Sequence, residues 1–237
     1  MRTLLSRVAG TLVSYALVVP IWLGIVVGLV IVRGRDHVLP ALLRGNVVLI
    51  SNHPTLLETV AIPALFWHWN ISGHKHRVPH SIADENFFGG TQWLQRSCRI
   101  IVVSREKAKT KAECNRTAVA SASKILQAAG NVIYYPEGGR TCKGSKHVSD
   151  GQFRVRVCQV GFLRKMQNPT TTIVPVWIDH KNTSDTHSLL RSYQKLYCGR
   201  RLTITFGNPQ AANAERLTSS AVATMLLAIP QHDTHRA

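Results

Sequence analysis

Acidic residues are scarce in this chain. It has 12 Asp and Glu against 29 Lys and Arg, a formal net charge of +17 over 237 residues. Such a field attracts polyanions: nucleic acid, anionic lipid headgroups or phosphorylated substrates. Aromatic residues are also few, at 7%, and form no stripe interleaved with the basic ones, which argues against a nucleic-acid binder. Cys98, Cys114, Cys142, Cys158 and Cys198 are odd in number, well separated and without a C-x-x-C pair. That pattern fits reduced thiols in a cytosolic compartment better than a disulfide framework or a zinc site. There is no low-complexity linker and no internal repeat, and at 45% hydrophobic residues the chain can fill a core.

Charge is missing altogether between Val8 and Val32, VAGTLVSYALVVPIWLGIVVGLVIV. About twenty apolar residues suffice for a membrane helix. The run is too long for a signal peptide and lacks a small-x-small cleavage site. Pro20, followed by Gly24 and Gly28, can break or kink it. Residues 1–35 are therefore expected to form a membrane-embedded anchor, either one helix or a helical hairpin dipping into one leaflet. Trp67 and Trp69 are candidates for the headgroup level.

Residues 36–237 are expected to form one α/β domain. Runs rich in β-branched residues mark strands at 46–51, 78–83, 100–103, 131–135, 171–178 and 202–206. Segments 54–67, 106–129, 155–166 and 211–229 read as helices, the first opening on a proline and the second ending before Gly130. Alternating strands and helices imply a mixed, mostly parallel sheet covered by helices. Ligands in such sheets bind at loops beyond the carboxyl ends of strands.

Two such loops carry chemistry. In SNHPTLLE, 51–58, His53 precedes Pro54 and Glu58 lies five residues on. If Pro54 starts a helix, Glu58 on its second turn can reach back to His53. The carboxylate would fix the imidazole tautomer and stabilise the imidazolium, leaving the other nitrogen to take a proton. A capping histidine and a solvated glutamate are the alternative. In YYPEGGRT, 134–141, a strand runs into Glu137, Gly138, Gly139 and Arg140. Glycines admit close backbone approach, and arginine offers forked donors to phosphate. An ordinary turn is the alternative, and the lysine of a phosphate-binding Walker loop is absent. His74, His76 and His80 have no acidic or thiolate partners at metal spacing, so no metal site is expected.

NHPTLLE followed by PEGGR resembles the glycerolipid acyltransferase family, typified by 1-acylglycerol-3-phosphate acyltransferases. A middle segment, FFGGTQWLQRSCRIIVVSR, ending in Arg105, and IVPVWI with Pro175 extend the likeness over roughly 46–178. The resemblance implies acyl transfer from a thioester to a lipid hydroxyl, with His53 and Glu58 catalytic. Arg105, Glu137, Gly138, Gly139 and Arg140 would bind substrate, the two arginines holding the acceptor's phosphate. It implies no cofactor beyond the donor substrate, acyl-CoA or acyl carrier protein. Membrane lipid is the expected partner, nucleic acid is not, and the catalytic domain is expected to face the cytoplasm. The expected acceptor is 1-acylglycerol 3-phosphate. Glycerol 3-phosphate or a lyso-aminolipid is the alternative acceptor, and a non-catalytic basic module for anionic lipid is the alternative class. The chain departs from the family pattern with Glu58 for Asp, Gly139 for Thr or Ser, Asn86 near the place of a proline, and Arg99 for a glycine.

Overall fold

The structure, a computed structural model, describes residues 2–84, 95, 98–104, 109–138, 147–149, 154–156, 158–180, 189–199, 201–212 and 217–234. Arg105, Gly139 and Arg140 lie outside the described residues, as do Asn86 and Cys142.

In chain order the elements are α1 (Arg2–Val26), β1 (Val30–Arg33), α2 (Arg35–Arg44), β2 (Val47–Ser51) and α3 (Glu58–Leu65). Two 3-10 turns, Trp67–Asn70 and Lys75–Arg77, lead to β3 (His80–Asp84) and β4 (Ile100–Val103). Then come α4 (Lys109–Gln127), β5 (Asn131–Tyr134), a small hairpin of β6 (His147–Ser149) and β7 (Arg154–Arg156), and α5 (Gly161–Met166). β8 (Thr172–His180), α6 (Leu189–Tyr197), β9 (Leu202–Phe206), β10 (Gln210–Ala211) and α7 (Ser219–Thr234) complete the chain.

The main sheet has the order β1-β9-β8-β2-β5-β3-β4, with β10 added to β8. Neighbours run parallel except for β8 with β9 and β10. This is the expected mixed, mostly parallel sheet. Central β2 is buried throughout, so side chains on both of its faces are apolar, as a strand covered on two sides requires. Val47 and Leu49 pack with α1, α2 and α3 on one face. Val48 and Ile50 pack with α4, α5 and α7 on the other.

Pro63 sits inside α3 and cannot donate to the Thr59 carbonyl one turn back. The buried Ser81 hydroxyl of β3 donates to that carbonyl instead, at 3.0 Å. This bond ties α3, which begins at Glu58, to the sheet.

Of the two arrangements expected at the N-terminus, the structure has the single helix. α1 is one helix that continues through Pro20, not a hairpin. Among the described residues no helix is long and apolar enough to cross a membrane. α1 packs on the protein: Val18 and Ile21 are buried in the core, and the Trp22 indole donates to Ala64 O of α3 at 2.7 Å. The hydroxyls of Tyr193 and Tyr197 donate to Leu17 O and Pro20 O from α6. Residues 30–33, placed with the anchor by sequence, form β1 and pair in register with β9. Trp67 and Trp69 are core residues.

Candidate active site

Strand β2 delivers His53 two residues beyond its carboxyl end. Asn52 fixes that exit: its side-chain amide donates to Ile178 O at 2.9 Å and its side-chain oxygen accepts from Ile178 N at 2.7 Å. The side chain thus extends the β2–β8 ladder where the backbone leaves it. His53 is buried, at 8% exposure.

The helix expected from Pro54 begins only at Glu58, and residues 54–56 are bends. Glu58 therefore stands at the first position of α3, not on a second turn. It nevertheless meets the histidine: His53 Nδ1 lies 2.6 Å from Glu58 Oε1. The buried carboxylate also accepts from Thr55 N at 3.0 Å and from Thr55 Oγ1 at 2.6 Å, while Thr55 Oγ1 accepts from Leu57 N. These bonds compensate a fully buried carboxylate, which would otherwise cost several kcal/mol. Thr55-x-x-Glu58 has the spacing of a capping box, the signal by which Thr55 is found in the sequence.

The second loop approaches from β5, the parallel neighbour of β2. Glu137, also buried, accepts from the His53 backbone N–H at 2.9 Å. Gly138 has φ 59°, a left-handed value that turns the chain, and a Cβ there would meet the Gln159 amide at 2.9 Å. The structure therefore brings His53, Glu58, Glu137 and Gly138 to one sheet end. Arg105, Gly139 and Arg140 cannot be placed with them, since they lie outside the described residues.

Tyr135 is a member of the site that the motif reading overlooks. Its ring stacks on the His53 imidazole, with centroids 4.6 Å apart and planes 30° apart. Burial, then the Glu58 charge, pushes its phenol well above the usual range. Thr59 and Ser81 lie near the hydroxyl and moderate the shift, though neither reaches it with hydrogen-bonding geometry. Cys158, beneath the loop, is held protonated: burial and the nearby Glu137 push its thiol up to about 12. A thiol in that state is a poor nucleophile. Among the described residues no group of three His, Cys, Asp or Glu side chains could hold a metal ion.

A family model described as Acyltransferase matches residues 30–179, well over half the chain, from the start of β1 almost to the end of β8. No curated protein matches. Among solved structures the chain is similar to the crystal structure of the 1-acyl-sn-glycerophosphate (LPA) acyltransferase, PlsC, from Thermotoga maritima. Identity is 14%, the match covers 88% of this chain and 72% of that one, and the TM-score is 0.51. At that identity the likeness is one of fold.

Proposed function

The chain belongs to the Acyltransferase family, and on that premise we propose that it transfers a fatty acyl group from a thioester to the hydroxyl of a lysophospholipid, 1-acylglycerol 3-phosphate before other acceptors. The donor is acyl-CoA or acyl carrier protein. The observation that carries this reading is the buried 2.6 Å contact between His53 Nδ1 and Glu58 Oε1.

With Nδ1–H donating to the carboxylate, Nε2 is the basic nitrogen. It takes the proton of the acceptor hydroxyl as that oxygen attacks the thioester carbonyl. The tetrahedral intermediate collapses, the C–S bond breaks, and the imidazolium returns its proton to the departing sulfur. Glu58 stabilises the imidazolium between these steps, and the Tyr135 ring supports it from one face. Arg105 and Arg140 hold the acceptor phosphate in this reading, each through a fork of two donors.

The enzyme works at a membrane surface, with its catalytic domain facing the cytoplasm. Support comes from the outer side of α1, where Leu12, Val19, Leu23 and Val26 are 65%, 46%, 53% and 81% exposed. This stripe suits a helix lying in the plane of one leaflet, and the charge of +17 favours an anionic surface.

The test is acyl transfer from radiolabelled acyl-CoA, and separately from acyl carrier protein, to a panel of acceptors. Diacylglycerol phosphate formed fastest from 1-acylglycerol 3-phosphate is the expected result. Preference for glycerol 3-phosphate or a lyso-aminolipid would transfer the same chemistry to that acceptor. No transfer to any of them would refute the proposal.

A further inference from the structure

The face of the sheet opposite the His53–Glu58 pair holds a second recess. A cavity of about 700 Å³ lies between β4 and α4. Side chains alternate along β3, so Ser81 points to α3 on one face while His80 lines this cavity on the other. His80 is in register with Val132, and Val132 with Val48, so His53 lies five residues further along the strand direction. At ~3.3 Å per residue that is about 16 Å, before the sideways offset of two strands. The recess is thus not part of the site described above.

Three features make it a site for an anion with a hydrocarbon tail. Arg99 lines it with φ 55°, the left-handed region that residues other than glycine rarely enter. The family resemblance places a glycine here, so this chain keeps a guanidinium where the backbone favours none. Arg99 Nη2 donates to the neutral Asn70 Oδ1 at 2.9 Å, and among the described residues no carboxylate pairs with Arg99. His80 Nδ1 is buried with no hydrogen bond among the described residues. Burial and the Arg99 charge hold His80 down to about 4, so its ring is neutral at pH 7. The Asn131 main chain lies near enough to oppose that shift but makes no hydrogen bond to the ring nitrogen Nδ1. Apolar Ile101, Ala118 and Ile125 share the described lining with polar Gln95, Thr117 and Ser121. Glu113, the carboxylate among the described lining residues, is exposed and lies more than three helical turns from Ile125 along α4.

We propose that this cavity binds an anionic amphiphile, its carboxylate or phosphate between Arg99 and His80 and its chain along the Ile101–Ala118–Ile125 wall. An anionic oxygen would accept from the unused Arg99 donors, beside the His80 ring. It would neutralise the guanidinium, with which no carboxylate pairs among the described residues. The hydrocarbon chain accounts for a cavity larger and more apolar than a free anion needs. The head group is a free fatty acid's carboxylate or a phospholipid's phosphate, and the experiment separates the two.

The full-length protein, with ring-labelled histidine, is titrated with laurate and with dodecyl phosphate below their micelle concentrations. His80 is assigned by its loss in His80→Gln. Saturable movement of the His80 resonance by either probe is expected, and whichever binds identifies the head group. Dodecanol and inorganic phosphate should bind at least tenfold more weakly. Arg99→Gly supplies the residue that the backbone favours, so its thermal midpoint should not fall, yet it should weaken binding at least tenfold. His53→Ala should leave binding unchanged. A static His80 resonance, equal affinity for dodecanol, wild-type affinity in Arg99→Gly, or loss of binding in His53→Ala would each overturn the proposal.

Discussion

Glu137 accepts a hydrogen bond at 2.9 Å from the backbone N–H of His53, a residue 84 positions away in sequence. The contact joins the two motif loops into one structure. The glutamate of the P-E-G-G segment anchors the chain at the point where it leaves β2. Its replacement by alanine leaves a buried N–H without a partner, which costs about 1–3 kcal/mol. Glu137→Gln retains an acceptor oxygen. We therefore expect a clear fall in thermal midpoint for Glu137→Ala and a smaller one for Glu137→Gln. Equal midpoints for Glu137→Ala and wild type would show that the bond does not hold the loop.

Glu58 is one methylene longer than the family's usual aspartate, and α3 begins at this residue. Glu58→Asp withdraws the carboxylate by about 1.5 Å, enough to break a 2.6 Å contact to His53. Turnover should drop about tenfold or more, with the loss in kcat and little change in acceptor KM. Assays with saturating acyl-CoA read this directly. A wild-type kcat in the Glu58→Asp variant would show that the pair does not require its present length.

Much of this arrangement is legible in the sequence because it depends on buried β-branched runs. IIVV at 100–103 and LTITF at 202–206 form strands with the expected bounds. VIVR at 30–33 does not stand out, because the same apolar residues continue an uncharged run that also contains α1. Only pairing with β9, far away in sequence, makes them a strand. Residues 155–166 read as a helix, but Arg154–Arg156 alternate as a strand and the helix starts at Gly161. α2 is interrupted by Pro40 and carries little signal, whereas α6, LLRSYQKLY, does repeat its apolar residues at helical spacing and is overlooked only because it is short. In the site, the His53–Glu58 spacing points to the pair, whereas Tyr135 stacks on His53 through a tertiary relation between adjacent strands that no spacing encodes.

Arg140→Lys and Arg105→Lys keep the charge but lose the fork. If these arginines hold the acceptor phosphate, each substitution should raise KM severalfold for 1-acylglycerol 3-phosphate and much less for a phosphate-free lysolipid. Thioester hydrolysis without acceptor should change little. Steady-state kinetics on the two acceptors decide the matter, and equal effects on both would remove the phosphate role.

The two sides of α1 should respond differently to substitution. Leu23 and Val26 face outward, so Leu23→Glu and Val26→Glu should reduce flotation with anionic vesicles while shifting the thermal midpoint by little. Ile21 is fully buried, and Ile21→Ala should destabilise the fold by about 2–5 kcal/mol. Vesicle binding by the Leu23→Glu, Val26→Glu double variant equal to that of wild type would show that the stripe does not contact lipid.

The proposed chemistry rests most directly on His53 as the base. The decisive measurement is the kcat of His53→Ala for acyl transfer to 1-acylglycerol 3-phosphate, with circular dichroism and thermal midpoint recorded on the same preparation. Loss of a general base lowers turnover by about 10²–10⁴-fold, and that fall is predicted here with the secondary structure preserved. Turnover within a few-fold of wild type in a folded His53→Ala protein would contradict it.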